Sequence, residues 1–201
     1  PGALPVIVDR RPFATFFSGK SKRESASACP RLYRASAIAG ILFPEGVHYA
    51  EDLVFVSKVM HRIQTLVATT ETLLYYRDNP ASATNLTLSE KQIRSFAEAA
   101  RLLHGYFREQ TLTPREARRV ARFIATMAYK TCVAPFFRDG APAGRGDLLA
   151  LARAQWADLA ASQAVAPSSL SLRKRLIGIC FGKGWLALGR KLAALSARGR
   201  A

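Results

Sequence analysis

The sequence predicts a mixed α/β segment over residues 1–86, followed by a mainly helical region. Three short runs rich in β-branched and aromatic residues, Val6–Val8, Leu66–Thr69 and Leu73–Arg77, indicate strands in the first segment. Apolar residues spaced by three and four from Glu51 to Gln64 indicate an amphipathic helix. Because so few strands cannot form a complete doubly wound domain, we expect the segment to be part of one.

Helix-start signals dominate the chain after residue 86. Thr87–Glu90 has the spacing of a capping box and predicts a helix to about Glu109. Thr113–Glu116 has the same spacing, with proline at the favoured first helical position, and predicts a helix to about Phe137. A further helix is predicted from Asp147 to Ser162. The predicted organisation is an α/β part (1–86), a helical subdomain (87–165) and a basic helical tail (166–201).

Positive charge is in excess and is concentrated near the end of the sequence. Thirty lysine and arginine residues oppose 14 acidic residues, which gives a formal net charge of +16. Such an excess favours an anionic partner, which can be a nucleic acid, an acidic membrane surface or a phosphate-bearing substrate. Residues 167–201 contain no acidic residue. Their basic residues are Arg173, Lys174, Arg175, Lys183, Arg190, Lys191, Arg198 and Arg200.

The tail has the pattern of a basic amphipathic helix. On a helical wheel its apolar side comprises Ile177, Phe181, Trp185, Leu188, Leu192 and Leu195. Its basic side comprises Lys183, Arg190, Lys191 and Arg198. The pattern predicts a helix that lies in an anionic membrane surface. The alternative is a last helix that packs on the protein's own core and exposes its basic face to solvent.

Several motifs in the first segment occur in a characteristic order. They are Arg31–Ser36, Phe43–Gly46, Tyr49–Phe55 and Leu74–Arg77, the last followed by Ser82. Their order and spacing resemble family 2 glycosyltransferases, and the match covers a little over a quarter of the chain. The resemblance implies a GT-A fold, which is Rossmann-like, with residues 1–86 as the C-terminal, acceptor-side part of the catalytic domain. It also implies an inverting transfer of sugar in cell-surface polysaccharide synthesis.

The resemblance assigns roles to individual residues. The family's catalytic base is the aspartate of a Glu-Asp pair, which matches Asp52, and Glu51 is the weaker candidate. Arg77 matches an arginine that could bind a diphosphate or an acidic acceptor. The other substrate-binding candidates are Tyr33, Arg34, Tyr76 and His48. The competing interpretations are an ordinary acidic helix start for the carboxylates and a structural ion pair for Arg77.

The resemblance implies a set of binding partners and a metal ion, but this sequence lacks the motif that would bind the metal. The expected partners are a nucleotide-sugar donor, a glycan or lipid-linked acceptor and an anionic membrane surface, but not nucleic acid. The family binds Mg²⁺ or Mn²⁺ through an Asp-x-Asp motif, which this sequence lacks. We therefore expect the metal ligands and the donor-binding half to lie outside these residues, and the piece alone to be inactive. The expected location is the cytoplasmic face of the membrane, as a peripheral protein.

Two other functions remain open at this point. Arg115, Arg118, Arg119 and Arg122 form a basic stripe that a helical nucleic-acid-binding protein would use. A non-catalytic module at a membrane surface would also use the basic tail. Neither function gives a role to the ordered motifs between Arg31 and Ser82.

Overall fold

The computed structural model describes residues 6–18, 26–69, 71–75, 77, 88–137 and 146–194. The chain divides into two compact units, each described separately below. The first comprises Pro1–Glu45 and Glu51–Thr87, and the second comprises Gly46–Ala50 and Leu88–Ala201. The predicted domain boundaries at residues 86 and 165 stay predictions.

The first unit contains a two-stranded ribbon and a buried helix. Its elements are β1 (Val6–Asp9), α1 (Pro12–Phe16), α2 (Ala35–Ile38), α3 (Glu51–Arg62) and β2 (Leu66–Thr69). The strands pair antiparallel, with Val6 opposite Thr69 and Asp9 opposite Leu66. The predictions of β1, α3 and β2 are therefore confirmed. Helix α3 supplies the core through Leu53–Ser57, Val59 and Met60, all of which are buried.

The predicted Rossmann-like α/β fold was wrong. Of the described residues 64% are helical, and their only sheet is the antiparallel β1–β2 ribbon. The run Leu73–Arg77 forms no strand among its described residues, and Leu73, Leu74 and Tyr75 are exposed. β-Branched and aromatic residues form a strand only when a neighbouring strand can pair with them. The described chain is therefore mainly helical.

The second unit is an assembly of helices. Its α-helices are α4 (Glu90–Arg108), α5 (Pro114–Ala128), α6 (Gly146–Ala161), α7 (Leu172–Gly182) and α8 (Leu186–Ala194). Helix α5 continues as a π-helical turn (Tyr129–Val133) and a 3₁₀ turn (Ala134–Phe137), and a second 3₁₀ turn (Pro167–Ser169) precedes α7. Helix α4 packs against α5 and α6 through a face rich in alanine, where small side chains let the backbones approach closely.

Capping boxes fix where α4 and α5 begin. Thr113 accepts from the backbone N–H of Glu116, whose side chain accepts from the backbone N–H of Thr113, as predicted. In α4 the reciprocal pair is Ser89 and Gln92, not the predicted Thr87 and Glu90. A glutamine side chain can accept at this position as a glutamate does, so the sequence offered two overlapping boxes.

The tail forms two helices in its described part, not one. Gly184 has φ +78°, a left-handed conformation that ends α7 and lets α8 start in a new direction. Ile177 and Phe181, predicted for a membrane-facing side, are buried. Within the described ranges no helix combines the length and the apolar character needed to cross a membrane.

Helix α7 is held against α6 by a close contact between a glycine and an indole. A Cβ atom added at Gly178 would lie 2.8 Å from Cζ2 of Trp156, whose ring is only 4% exposed. Tyr129 also packs edge-on against this indole, with 6.4 Å between ring centroids. Because the indole is enclosed, it cannot move aside for a larger residue.

We expect Gly178→Ala to lower the free energy of unfolding by about 1–3 kcal/mol, because the added methyl group overpacks this contact. Gly105→Ala is the matched control, since no atom lies within 4 Å of its added Cβ and the position is inside α4. Its better helix propensity should raise stability by about 0.5–1 kcal/mol. Urea unfolding measures the free energy of unfolding of both variants. Equal changes in that free energy would contradict a close contact between Gly178 and the indole.

Burial raises the pKa of the Cys132 thiol from 9.0 to about 12. A folded-state pKa above the unfolded value means that this stabilisation is complete below about pH 9 and is lost as the pH rises toward 12. In urea unfolding, the stability advantage of the wild type over Cys132→Ala should therefore shrink by about 1.4 kcal/mol per pH unit in this window. A pH-independent difference between the two proteins would contradict the burial of the Cys132 thiol.

Candidate functional site

The candidate site begins at the N-terminus of α3. Glu51 and Asp52 form the start of the helix, and both are half-buried. The first-turn N–H groups of a helix favour negatively charged side chains. Ala50, the residue before the pair, has φ +68°, which is a strained conformation for a residue with a Cβ. The carboxylates are therefore placed by a sharp and strained entry into the helix.

Asp52 fixes the loop of residues 26–30. Its Oδ2 atom accepts a hydrogen bond from Ser27 Oγ at 3.2 Å and another from the backbone N–H of Ala28 at 3.0 Å. Ser27 Oγ in turn accepts from the backbone N–H of Cys29 at 3.4 Å. The carboxylate is thus oriented by two donors, and hydrogen bonds to a charged acceptor are stronger than neutral ones.

The segment that follows the loop presents two side chains to the same side. Residues 31–34 form neither helix nor strand, and their side chains alternate between half-buried and exposed. Arg31 and Tyr33 are half-buried, whereas Leu32 and Arg34 are exposed. Arg31 donates through Nη1 to the carbonyl oxygen of Ser27. The alternation therefore brings Arg31, and not Arg34, to the loop that Asp52 holds.

Tyr33 lies next to both charged groups. Its hydroxyl donates to the carbonyl oxygen of Ala28 at 3.4 Å, and its ring packs edge-on against Phe55, with 5.6 Å between centroids. Asp52 and Phe55 are one helical turn apart on α3, so they share a face. Phe43 stacks on Phe55 at 4.3 Å and completes an aromatic support. The geometry therefore groups Asp52, Arg31 and Tyr33.

The pKa of Tyr33 is affected by both charged groups. Burial raises the pKa of the Tyr33 phenol, the nearby Arg31 guanidinium lowers it by charge and by a hydrogen bond, and the Asp52 carboxylate raises it. Burial is the largest of these effects, so the net pKa lies above 10.0 and the phenol is neutral at pH 7. A neutral phenol can donate a hydrogen bond to a substrate oxygen.

The remaining predicted site residues are not part of this group. Arg34 is exposed at the start of α2, and its side chain makes no capping hydrogen bond. Arg77 is exposed, and within the described ranges no hydrogen bond or ion pair joins it to Asp52. His48 is an exposed residue of the second unit, where its backbone N–H donates to Ser95 Oγ at 3.3 Å. Tyr76 lies outside the described residues.

Arg31 and Ser27 were not predicted as site residues. Ser27 donates to the Asp52 carboxylate and Arg31 donates to the carbonyl oxygen of Ser27, yet the motif itself indicated a role only for Arg34 among its arginines. The available signal was period-two spacing, because Arg31 and Tyr33 are two residues apart. Using it required knowing that the segment forms no helix.

The described residues do not fit the divalent cation that the resemblance implies. In the described part of the chain, no three His, Cys, Asp or Glu side chains come together as a set of metal ligands. Asp52 also directs one oxygen to the donors Ser27 and Ala28. We therefore derive no step through a metal at this site.

The comparison of the chain with protein-family models, with curated proteins and with solved structures found no match. The family resemblance therefore stays a prediction that the ordered motifs carry. The site itself is defined by the contacts of Asp52, Arg31 and Tyr33.

The grouping predicts opposite changes in the Tyr33 pKa for two substitutions. Asp52→Asn should lower it, because a negative charge is removed, and Arg31→Ala should raise it further, because a positive charge and a hydrogen bond are lost. Spectrophotometric titration measures the pKa, with Tyr33→Phe identifying the contribution of Tyr33 among the six tyrosines. A Tyr33 pKa that is the same in both variants as in the wild type would show that Asp52 and Arg31 are not close to Tyr33.

Proposed function

We propose that this chain provides the acceptor-activating residues of an inverting glycosyltransferase. The single observation that carries the proposal is the carboxylate of Asp52, which two donors orient at the start of α3. The ordered motifs between Arg31 and Ser82 add the resemblance to family 2 enzymes. The substrates proposed are a nucleotide-sugar donor and a glycan or lipid-linked acceptor.

Asp52 would act as the general base in this reaction. It takes the proton from the acceptor hydroxyl while the acceptor oxygen forms a bond to the anomeric carbon of the sugar. The bond between that carbon and the nucleoside diphosphate breaks, and the diphosphate leaves with the bonding electrons. The configuration of the anomeric carbon is inverted because attack and departure occur on opposite faces.

Arg31 and Tyr33 would position the acceptor beside the base. The guanidinium of Arg31 is a donor with a fixed charge, and the Tyr33 phenol is neutral at pH 7. Both are held by the loop that Asp52 fixes, through Ser27 and Ala28. Groups whose positions are set before the substrate binds lower the cost of orienting it.

The donor nucleotide and its cation would be held by residues outside these 201. Among the described residues no set of carboxylate, histidine or cysteine side chains is suited to hold a metal ion. The first unit also leaves apolar side chains open to further polypeptide. Val8 and Val67 are partners on one face of the β1–β2 ribbon, Val6 shares that face, and all three are exposed.

Asp52→Asn tests the assignment of the base, because asparagine keeps an oxygen that can accept from Ser27 and Ala28 but is not basic. In the polypeptide that contains these residues, we expect the substitution to lower kcat/KM by about 10²–10⁴-fold. Release of nucleoside diphosphate from a panel of nucleotide sugars, with acceptor present, measures the rate.

Glu51→Gln is the matched control, because it changes the neighbouring carboxylate in the same way. We expect it to reduce kcat/KM by less than about tenfold. The chain of 201 residues alone should not turn over any nucleotide sugar. Full activity of Asp52→Asn, with unchanged folding by circular dichroism, would refute the proposal.

A further inference from the structure

Helices α7 and α8 expose a set of large apolar side chains. They are Leu172, Leu176, Ile179, Trp185 and Leu188, which are 71%, 40%, 42%, 53% and 48% exposed. Positions 172, 176 and 179 are separated by four and three residues, so these side chains share one side of α7. We call these five residues, together with Arg175 and Lys183, the α7–α8 face.

The orientation of this face is fixed by the packing of the opposite side of α7. Ile177, Cys180 and Phe181 are buried there, and the Phe181 ring lies 5.5 Å from that of Phe136. Gly178 is in close contact with the enclosed indole of Trp156. Helix α7 therefore cannot rotate to bury its exposed leucines without opening this core.

Helix α8 is also held in place on α7. Arg173 donates through Nε to the carbonyl oxygen of Leu192 at 3.0 Å and through Nη2 to that of Ala193 at 2.5 Å. A Cβ at Gly189 would lie 2.5 Å from the ring of Phe137 in the 3₁₀ turn and 3.5 Å from Cβ of Cys180 in α7, so α8 lies close to both. The face is thus a preformed surface, which needs no ordering when a partner binds.

Cations accompany the exposed apolar residues. Arg175 is exposed on α7, Lys183 is exposed directly after its last residue, and Arg190 and Lys191 are exposed on α8. The Lys183 ammonium lies 5.0 Å from the centre of the Trp185 ring, which keeps a cation beside the indole. No acidic residue occurs anywhere from residue 167 to residue 201.

We propose that the α7–α8 face binds the surface of an anionic lipid bilayer. The positive charge of the face favours an anionic partner over a second copy of the chain, because two copies of the face would bring like charges together and repel each other. A bilayer offers acyl chains to Leu176 and Ile179 and lipid phosphates to Lys183 and Arg175, while tryptophan is enriched at this boundary. The inference does not depend on the transferase proposal, since it rests on different residues.

The two tryptophans make this binding directly measurable. Trp185 is exposed and Trp156 is buried, so lipid contact should change the emission of Trp185 alone. With the full chain and phosphatidylcholine vesicles that contain about one-third phosphatidylglycerol, we expect a blue shift of the emission. Trp185→Phe should abolish the shift. Pure phosphatidylcholine vesicles should bind about tenfold more weakly, as should the anionic vesicles at high salt.

A pair of matched substitutions tests the face itself. Ile179→Glu places a carboxylate in its centre and should lower the partition onto anionic vesicles by about tenfold or more in a co-sedimentation assay. Leu42→Glu makes the equivalent change at an exposed leucine of the first unit and should alter the partition by less than about twofold. Circular dichroism of both variants checks that they are folded.

Several outcomes would overturn the proposal. One is equal binding to neutral and anionic vesicles, and another is binding that Ile179→Glu leaves unchanged. Dimerisation in sedimentation experiments that Ile179→Glu abolishes would assign the face to a second copy of the chain. Binding of DNA or RNA with a steep salt dependence, without binding of vesicles, would assign the cations to a nucleic acid. Loss of transfer activity in Asp52→Asn bears on none of these results.

Discussion

The contact between Gly178 and the indole of Trp156 decides which surfaces the end of the chain presents. A backbone without a side chain lets α7 lie directly on α6, and the enclosed ring leaves no room for rotation. Ile177 and Phe181 then enter the core, and Leu176 and Ile179 remain outside. The direction of α8 follows, because its C-terminal carbonyl groups are bound by Arg173 of α7.

A comparable constraint organises the first unit around one carboxylate. Asp52 belongs to α3, yet its hydrogen bonds are made with a loop 24 and 25 residues earlier in the chain. In the segment after that loop, half-buried and exposed side chains alternate, and Arg31 and Tyr33 are the half-buried ones. Side chains held by a well-packed helix and a short loop are in position before any ligand arrives. The proposed site therefore depends on side chains whose positions are set before a substrate binds.

The site and the α7–α8 face would serve the proposed reaction in different ways. A transferase with a lipid-linked acceptor gains from a surface that keeps it at the bilayer, because binding there raises the local concentration of the acceptor. The two features nevertheless involve separate residues and separate forces. A base requires one carboxylate in a set geometry, whereas membrane binding sums many weak apolar and electrostatic contacts.

Local sequence signals predicted individual elements well. The spacing of apolar residues identified α3, the Thr113–Glu116 box identified the start of α5, and β-branched runs identified β1 and β2. Each of these signals depends on neighbours within a few residues. The α/β fold class failed because it counted the run Leu73–Arg77 as a strand, and the family resemblance extended this reading to a Rossmann-like fold. A strand needs a partner from elsewhere in the chain, and no local pattern supplies one.

The sequence by itself determined the helical periodicity, the caps, the excess of cations near the end and the Glu-Asp pair at a helix start. Only the tertiary structure decided which arginine contacts the loop that Asp52 holds and which apolar residues of α7 are exposed. A helical wheel gives the relative directions of side chains but not which direction is buried. That choice depends on what packs against the helix, here the indole of Trp156, which lies 22 residues before Gly178 in the chain.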